Sequence, residues 1–350
     1  MKSAKHRHEI TCAKCEHEKK PWYKERLFII VAILAAAMIV SYALPIFNPF
    51  FYAVADYFLL IWWAILIGFL TGGLIDYYVP RSYISKYLSQ HKKRTIFYSV
   101  FLGFFASACS HGILALAMEL YKKGASTPSV IAFLLASPWA NLPITILLLG
   151  FFGPTAFLFI VSAIIFAVIT GFVYVFLDRK HWVECMARGA EIPDISVRED
   201  VKKRFRGYEF TGTNLKKDFV GVMKGSWSLT KMVLWWLLIG IMAAGVARAF
   251  IPHDWFLLYA GPTLTGMLVV LIFATIIEVC SEGSSPLAFE IYRQTGSFGN
   301  PFVFLMAGVS TYYTEIGLIS SNIGKRAAIW LPIITVPQIL FLGYLFNIIL

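Results

Sequence analysis

Apolar residues fill long stretches of this chain, and the polar positions gather between them. The apolar segments run over 27–44, 51–78, 95–121, 128–150, 154–177, 226–250, 262–292, 300–320 and 327–349. About twenty apolar residues in helical conformation cross a bilayer. The pattern therefore predicts an all-α polytopic membrane protein. Between 80 and 94 the pattern changes, with Tyr83, Ile84, Tyr87 and Leu88 at helical spacing among basic residues, as in a helix lying along the membrane surface.

The apolar segments repeat. Residues 109–121 read CSHGILALAMELY and residues 280–292 read CSEGSSPLAFEIY, so Cys, Ser, Gly, Leu, Ala, Glu and Tyr recur at an offset of 171. Trp62-Trp63, Gly68, Gly73 and Pro80 find partners in Trp235-Trp236, Gly240, Gly245 and Pro252, while Pro128, Val130 and Ser137 match Pro301, Val303 and Ser310. A fixed long period marks internal duplication. The expected organisation is a tail at 1–26, a leading transmembrane helix at 27–49, a first four-segment repeat at 50–177, a basic loop at 178–225 and a second repeat at 226–350.

Charge decides how the segments cross. Lys and Arg number eight in 1–26, five in 80–94, two at Lys122-Lys123, eleven in 178–225 and two at Lys325-Arg326, whereas 45–50, 151–153 and 251–261 have none. Cytoplasmic connections hold the excess of positive charge. All five basic regions fall on the cytosolic side if 95–121 and 262–292 each enter and return as re-entrant hairpins. An equally even alternative makes 128–150 and 300–320 the re-entrant pieces. Either way each half crosses an odd number of times, so the halves form an inverted repeat, with the N-terminus and the 178–225 loop cytosolic and the C-terminus outside. Secondary transporters are commonly built so, with the substrate near the midplane where the repeats meet. Ser137 to Pro143, reading SPWANLP, breaks its segment in the middle, and Ser310 to Glu315 is its counterpart.

Composition agrees: of 350 residues 58% are apolar and 15% charged, outside the range of soluble domains. The formal charge of +11 lies in loops beside hydrophobic segments, where it reads as topology signal and contact with anionic lipid rather than nucleic-acid binding. Five cysteines, two of them within the apolar repeat phrase, do not form a secreted disulfide framework. The first 26 residues are polar and the first apolar run is long enough to stay in the membrane, so no cleavable signal peptide is expected.

Ionisable groups inside a membrane are costly unless they serve a pathway or a partner. Cys109 and Cys280, if they meet, offer two thiolates to a soft cation or metalloid, and His111 and Glu282, at the same motif position, add an imidazole and a carboxylate. Ser110 and Ser281 sit between them, and Asn141 and Thr314 offer polar atoms at the broken segments. Glu119 and Glu290 are the repeated carboxylates, with Glu278 and Glu315 in the second half alone. These four are the candidates for carrying protons as a coupling ion. The tail holds His6, His8, Cys12, Cys15 and His17, half of a zinc-type ligand set. No phosphate-binding G-x-x-x-x-G-K-[ST] loop occurs, no resident cofactor is expected beyond a transition metal bound as substrate, and energy must come from a gradient or a partner subunit.

The phrase CSHG at 109–112, with KKGAS at 122–126 and AFLLASP at 132–138, resembles the predicted-permease family that includes the ArsP-type organoarsenical efflux permeases. The resemblance extends from about residue 50 to the end. It implies an exporter of metalloids or metals that binds through the motif cysteines, here Cys109 and, by the repeat, Cys280. Two departures stand out: the family's second cysteine is His111, and its V-I-P is Ile113-Leu114-Ala115. His and Glu at equivalent positions shift the preference toward a divalent metal such as zinc, or toward another substrate. The expected activity is secondary-active export of a soft metal ion or thiol-reactive metalloid; the alternatives are a carrier of a small sulfur-containing or anionic solute and a membrane thiol-redox enzyme.

Overall fold

A computed structural model describes residues 25–78, 94–103, 110–122, 124–184 and 211–349, with the side chains at 110, 111, 140 and 213 left aside. Every regular element among them is helical. The first half holds α1 (Arg26–Ala43), α2 (Asn48–Tyr78), α3 (Thr95–Gly103), α4 (Ser110–Lys122), α5 (Thr127–Ala140), α6 (Leu142–Phe152) and α7 (Ala156–Arg179). The second holds α8 (Gly212–Phe250), α9 (His253–Ala260), α10 (Leu264–Ile276), α11 (Ser281–Thr295), α12 (Gly299–Thr311), α13 (Tyr313–Asn322) and α14 (Lys325–Ile349). Six stretches are long and apolar enough to cross a membrane: Arg26–Ala43, Pro45–Tyr78, Leu142–Arg179, Asn214–Phe250, Gly299–Asn322 and Lys325–Ile349. Their outer faces are apolar. Ile39, Leu59 and Phe341 are among many large hydrophobic side chains exposed there, which only hydrocarbon would cover without cost.

After α1 the described helices recur in similar order: a long helix (α2, α8), two short helices (α3 and α4, α10 and α11), a helix interrupted near its middle (α5 and α6, α12 and α13) and a closing helix (α7, α14), with α9 standing between α8 and α10 in the second half. The breaks follow from local chemistry. At the α5–α6 junction Pro138 and Pro143 cannot donate to a helical ladder, and Asn141 turns the chain by accepting from the Ile144 amide at 2.9 Å while donating to the Ser137 carbonyl. At the α12–α13 junction Tyr312 is extended, and its hydroxyl donates to the Val279 carbonyl at 2.7 Å. That bond ties one break to the break between α10 and α11.

The α10–α11 pair begins and ends at one end of the bundle. Asn300 donates to the carbonyls of Ala260 and Gly261 at 2.6 and 2.7 Å, and His253 lies 3.0 Å from Gln294. The chain bends by 99° between α9 and α10 on entering. The halves interlock through aromatic rings, with Phe152 against Phe289 and Tyr292, and Phe159 against Phe298.

One boundary differs from expectation. The charged stretch 178–225 is not loop throughout, because α8 starts at Gly212, fourteen residues before the predicted segment. Its first turns carry Lys216, Lys217 and Lys224 ahead of the apolar segment that begins at 226, and the hydroxyls of Tyr77 and Tyr78, at the end of α2, both donate to Asp218. The side chain gives the helix an anchor beyond the apolar pattern. At the other edge of that stretch Glu184 accepts from the amides of Arg326 and Ala327, both at 3.0 Å, and so caps α14.

Candidate functional site

The second copy of the repeated phrase opens α11. Cys280 holds the N-cap position, fully buried, and Ser281 and Glu282 form the first turn. The helix can start there because α10 stops at Ile276 and tight turns, with the Glu278 and Val279 amides donating to the carbonyls of Ile276 and Ile277, separate it from Cys280. Orphan amides at a helix start favour negative charge, and Glu282 puts a carboxylate in that turn. It is 5% exposed and accepts from the Ser281 hydroxyl at 3.0 Å.

Glu282 is held in place by a backbone contact. Gly240 of α8 and Gly283 of α11 touch so closely that a Cβ on Gly240 would lie 2.8 Å from the Gly283 carbonyl carbon. The contact leaves Glu282 facing a narrow cavity of about 20 Å³, whose other walls include Asn141, Pro143, Ala64, Gly68 and Val233. A motif residue of the second half and the broken segment of the first thus share one cavity. A smaller one of about 10 Å³ is lined by Trp139, Ser281, Ser284 and Tyr312. The buried indole N–H of Trp139 has no hydrogen-bond partner among the described residues, and neither has the Ser137 hydroxyl. Ser284 donates to the Val279 and Cys280 carbonyls and lies 3.4 Å from the Tyr312 hydroxyl.

The remaining candidates separate into groups. Thr314 donates to Glu278 through both its hydroxyl and its amide, which joins the α10–α11 and α12–α13 breaks a second time. Next to it Glu315 is 2% exposed, with Oε2 unpartnered among the described residues. A buried carboxylate oxygen without a partner is costly, so this position suits a group that takes up a proton or faces a solute. Glu290, near the end of α11, is also buried; it accepts from the Tyr57 hydroxyl and from Gln294 at 2.6 Å, with Arg293 at 3.5 Å. Glu119, its sequence counterpart, is exposed on α4. The repeat keeps the residue and changes its surroundings.

Cys109 and the tail ligands His6, His8, Cys12, Cys15 and His17 lie outside the described residues, and of Ser110 and His111 only the backbone, opening α4, is described. No group of three or more His, Cys, Asp or Glu able to hold a metal occurs among the described residues. Sequence reasoning missed Tyr57, Trp139 and Tyr312. Trp139 lay inside the SPWANLP break already singled out, and a polar-tipped residue there was the available signal.

A family profile described as Predicted permease matches residues 46–348. A Streptococcus mutans serotype c protein, provisionally named a two-component membrane permease complex subunit, is 24% identical over 235 residues, covering 66% of this chain and 73% of that protein. The UPF0718 protein MJ0584 of Methanocaldococcus jannaschii is 23% identical over 340 residues, covering 82% and 92%. No solved structure matches the chain significantly.

Proposed function

The chain belongs to the predicted permease family, and on that premise we propose that it is a secondary-active exporter of a soft metal ion or thiol-reactive metalloid, such as a trivalent organoarsenical. One observation carries the reading. Glu282, two residues after the buried thiol of Cys280, shares a cavity with Asn141 from the other half. Two broken segments that bring one carboxylate and one amide to a single, otherwise apolar cavity fit alternating access, since irregular backbone is tolerated at membrane depth where it lines a cavity. In this reading the halves are an inverted repeat with re-entrant pairs α3–α4 and α10–α11, the N-terminus is cytosolic and the C-terminus outside. Cys280 and Glu282 hold the solute, joined by Cys109 and His111 from the first half. Glu278, Glu315 and Glu290 carry the coupling proton, and the tail residues His6, His8, Cys12, Cys15 and His17 deliver the metal.

The test is uptake into everted membrane vesicles energised by respiration, with methylarsenite and Zn²⁺ as solutes. Wild-type vesicles should accumulate one of them, and Cys280→Ala and Glu282→Gln should reduce uptake at least tenfold at equal expression. Full uptake by both variants would end the proposal.

A second reading keeps the fold and changes the solute. Among the described residues the Trp139 indole N–H is the donor left unpartnered beside Ser281, Ser284 and Tyr312, whose hydroxyls already donate elsewhere, and an anionic or sulfur-containing acceptor would satisfy it. Uptake of such a solute, lost in Trp139→Phe and retained in Cys280→Ala, would favour it. The name of the Streptococcus mutans relative adds a second subunit as a further element of the proposal.

A further inference from the structure

A second cavity lies along the helices that enclose the first. It is open, about 410 Å³, and its lining includes Asp56 and Tyr57 of α2, Arg248 of α8, and Phe289 and Arg293 of α11. On α11 Glu282 faces the inner cavity while Phe289 and Arg293 face the open one, at spacings of seven and four residues that keep all three on one side of the helix. On α8 Leu237 and Arg248, eleven residues apart, do the same. The two cavities therefore follow one cleft, and seven residues of helical rise separate Glu282 from Phe289 by about 10 Å.

Between them the cleft is shut. Ile61 of α2 and Ile241 of α8 are fully buried there, and the rings of Phe289, Phe151 and Tyr57 pack together at 5.3 to 6.4 Å. Tyr57 is fixed across the cleft by donating to Glu290, whose other oxygen accepts from Gln294. The guanidinium of Arg248 sits 5.9 Å over the Tyr57 ring while pairing with Asp56 at 2.8 Å, and its Nη1 is buried without a partner among the described residues. A hydrogen bond between a half-one helix and a half-two helix, made by a residue that lines the open cavity, couples closure of the cleft to the relative position of the halves.

We infer that the cleft between α2, α8 and α11 is the passage from one face of the membrane to the Glu282 cavity, and that the Tyr57–Glu290 hydrogen bond is the latch that closes it. The inference rests on the permease reading and specifies its route. Tyr57, Phe289 and Glu290 act as gate residues. By the charge distribution of the connections, the face is the outer one.

The test needs no knowledge of the solute. Ala64, which is buried and lines the inner cavity, is replaced in the full chain by Ala64→Cys. A membrane-impermeant maleimide is applied to right-side-out and to inverted vesicles, and the rate at residue 64 is followed by peptide mass spectrometry. Adding Tyr57→Phe or Glu290→Gln should speed labelling at least tenfold from the outer face and leave the inner-face rate unchanged. Gln294→Met, at a half-buried position, serves the same purpose with a smaller effect if either of the first two fails to fold. Unchanged labelling in folded variants, or acceleration from both faces alike, would overturn the inference. Uptake of methylarsenite and Zn²⁺ is measured on the same vesicles: faster labelling without uptake of either leaves the passage standing and defeats the proposed solute.

Discussion

Replacing Gly240 by Ala adds one methyl where α8 and α11 touch. The new Cβ would fall on the Gly283 carbonyl oxygen and lie 2.8 Å and 2.9 Å from its carbonyl carbon and Cα. All three are backbone atoms, so no side-chain rotation relieves the overlap. The helices must part by about 1 Å, and inserting a methylene-sized group into a packed interior costs about 1–3 kcal/mol. Ala is the better helix former by about 1 kcal/mol, which offsets part of that. Gly317 is the internal control, because it is helical and a Cβ there meets nothing within 4 Å. Gly317→Ala therefore reports the propensity gain alone, and the difference between the two variants isolates the overlap, at about 1–3 kcal/mol. Thermal unfolding in detergent, followed by tryptophan fluorescence, measures both. Because Glu282 precedes Gly283 and moves with α11, Gly240→Ala should also weaken solute binding, while Gly317→Ala leaves it intact. Equal melting temperatures for the two variants, with binding unchanged in both, would show that the α8–α11 contact neither strains nor positions the site.

Other substitutions address separate links. Glu184 lies outside the membrane-spanning segments; burial opposes its charge, but the amides of Arg326 and Ala327 and the Arg326 guanidinium outweigh that and hold its carboxyl below the ordinary range. A carboxyl lowered on folding stabilises above its unfolded value, about 4.3, and loses that contribution as pH falls through the lower folded value. Glu184→Gln should then cost about 1 kcal/mol at neutral pH, discounted for partial exposure, and melting curves of variant and wild type should converge in acid. Asn141→Ala removes the α6 cap, at about 1 kcal/mol, and one polar wall of the inner cavity; reduced thermal stability together with weakened solute uptake is expected, and loss of neither would detach Asn141 from the site. Glu315→Gln should leave solute binding within twofold but abolish the acceleration of uptake by an imposed proton gradient, read in energised against de-energised vesicles.

Hydrophobic spacing alone located every helix that spans or nearly spans the bundle, because a membrane demands long apolar runs and little else. The breaks were legible for a similar reason, since Pro138, Asn141 and Pro143 state their backbone consequences locally. Where α8 begins was not, because its first turns are polar and are held by Asp218 to Tyr77 and Tyr78, some 140 positions away. The repeated phrase drew attention to Cys280, Ser281 and Glu282, which open a buried helix, yet its equation of Glu119 with Glu290 hid their difference. One is exposed on α4; the other is buried against Tyr57. Duplication preserves helical phase, whereas what packs on each copy diverges with every later substitution. The joining of Glu278 to Thr314 was invisible for the same reason, each being read from its own break.

The most direct measurement is solute content on the full chain purified in detergent, with His6→Ala, His8→Ala, Cys12→Ser, Cys15→Ser and His17→Ala in every sample to silence the tail. Protein equilibrated with methylarsenite or Zn²⁺ and freed of excess is analysed by elemental mass spectrometry, with and without Cys280→Ala and Glu282→Gln. The account predicts near-stoichiometric arsenic or zinc that falls at least tenfold in each variant while the fold is retained. Equal content in variants and parent, or none in the parent, would contradict a soft-metal or metalloid site at the start of α11.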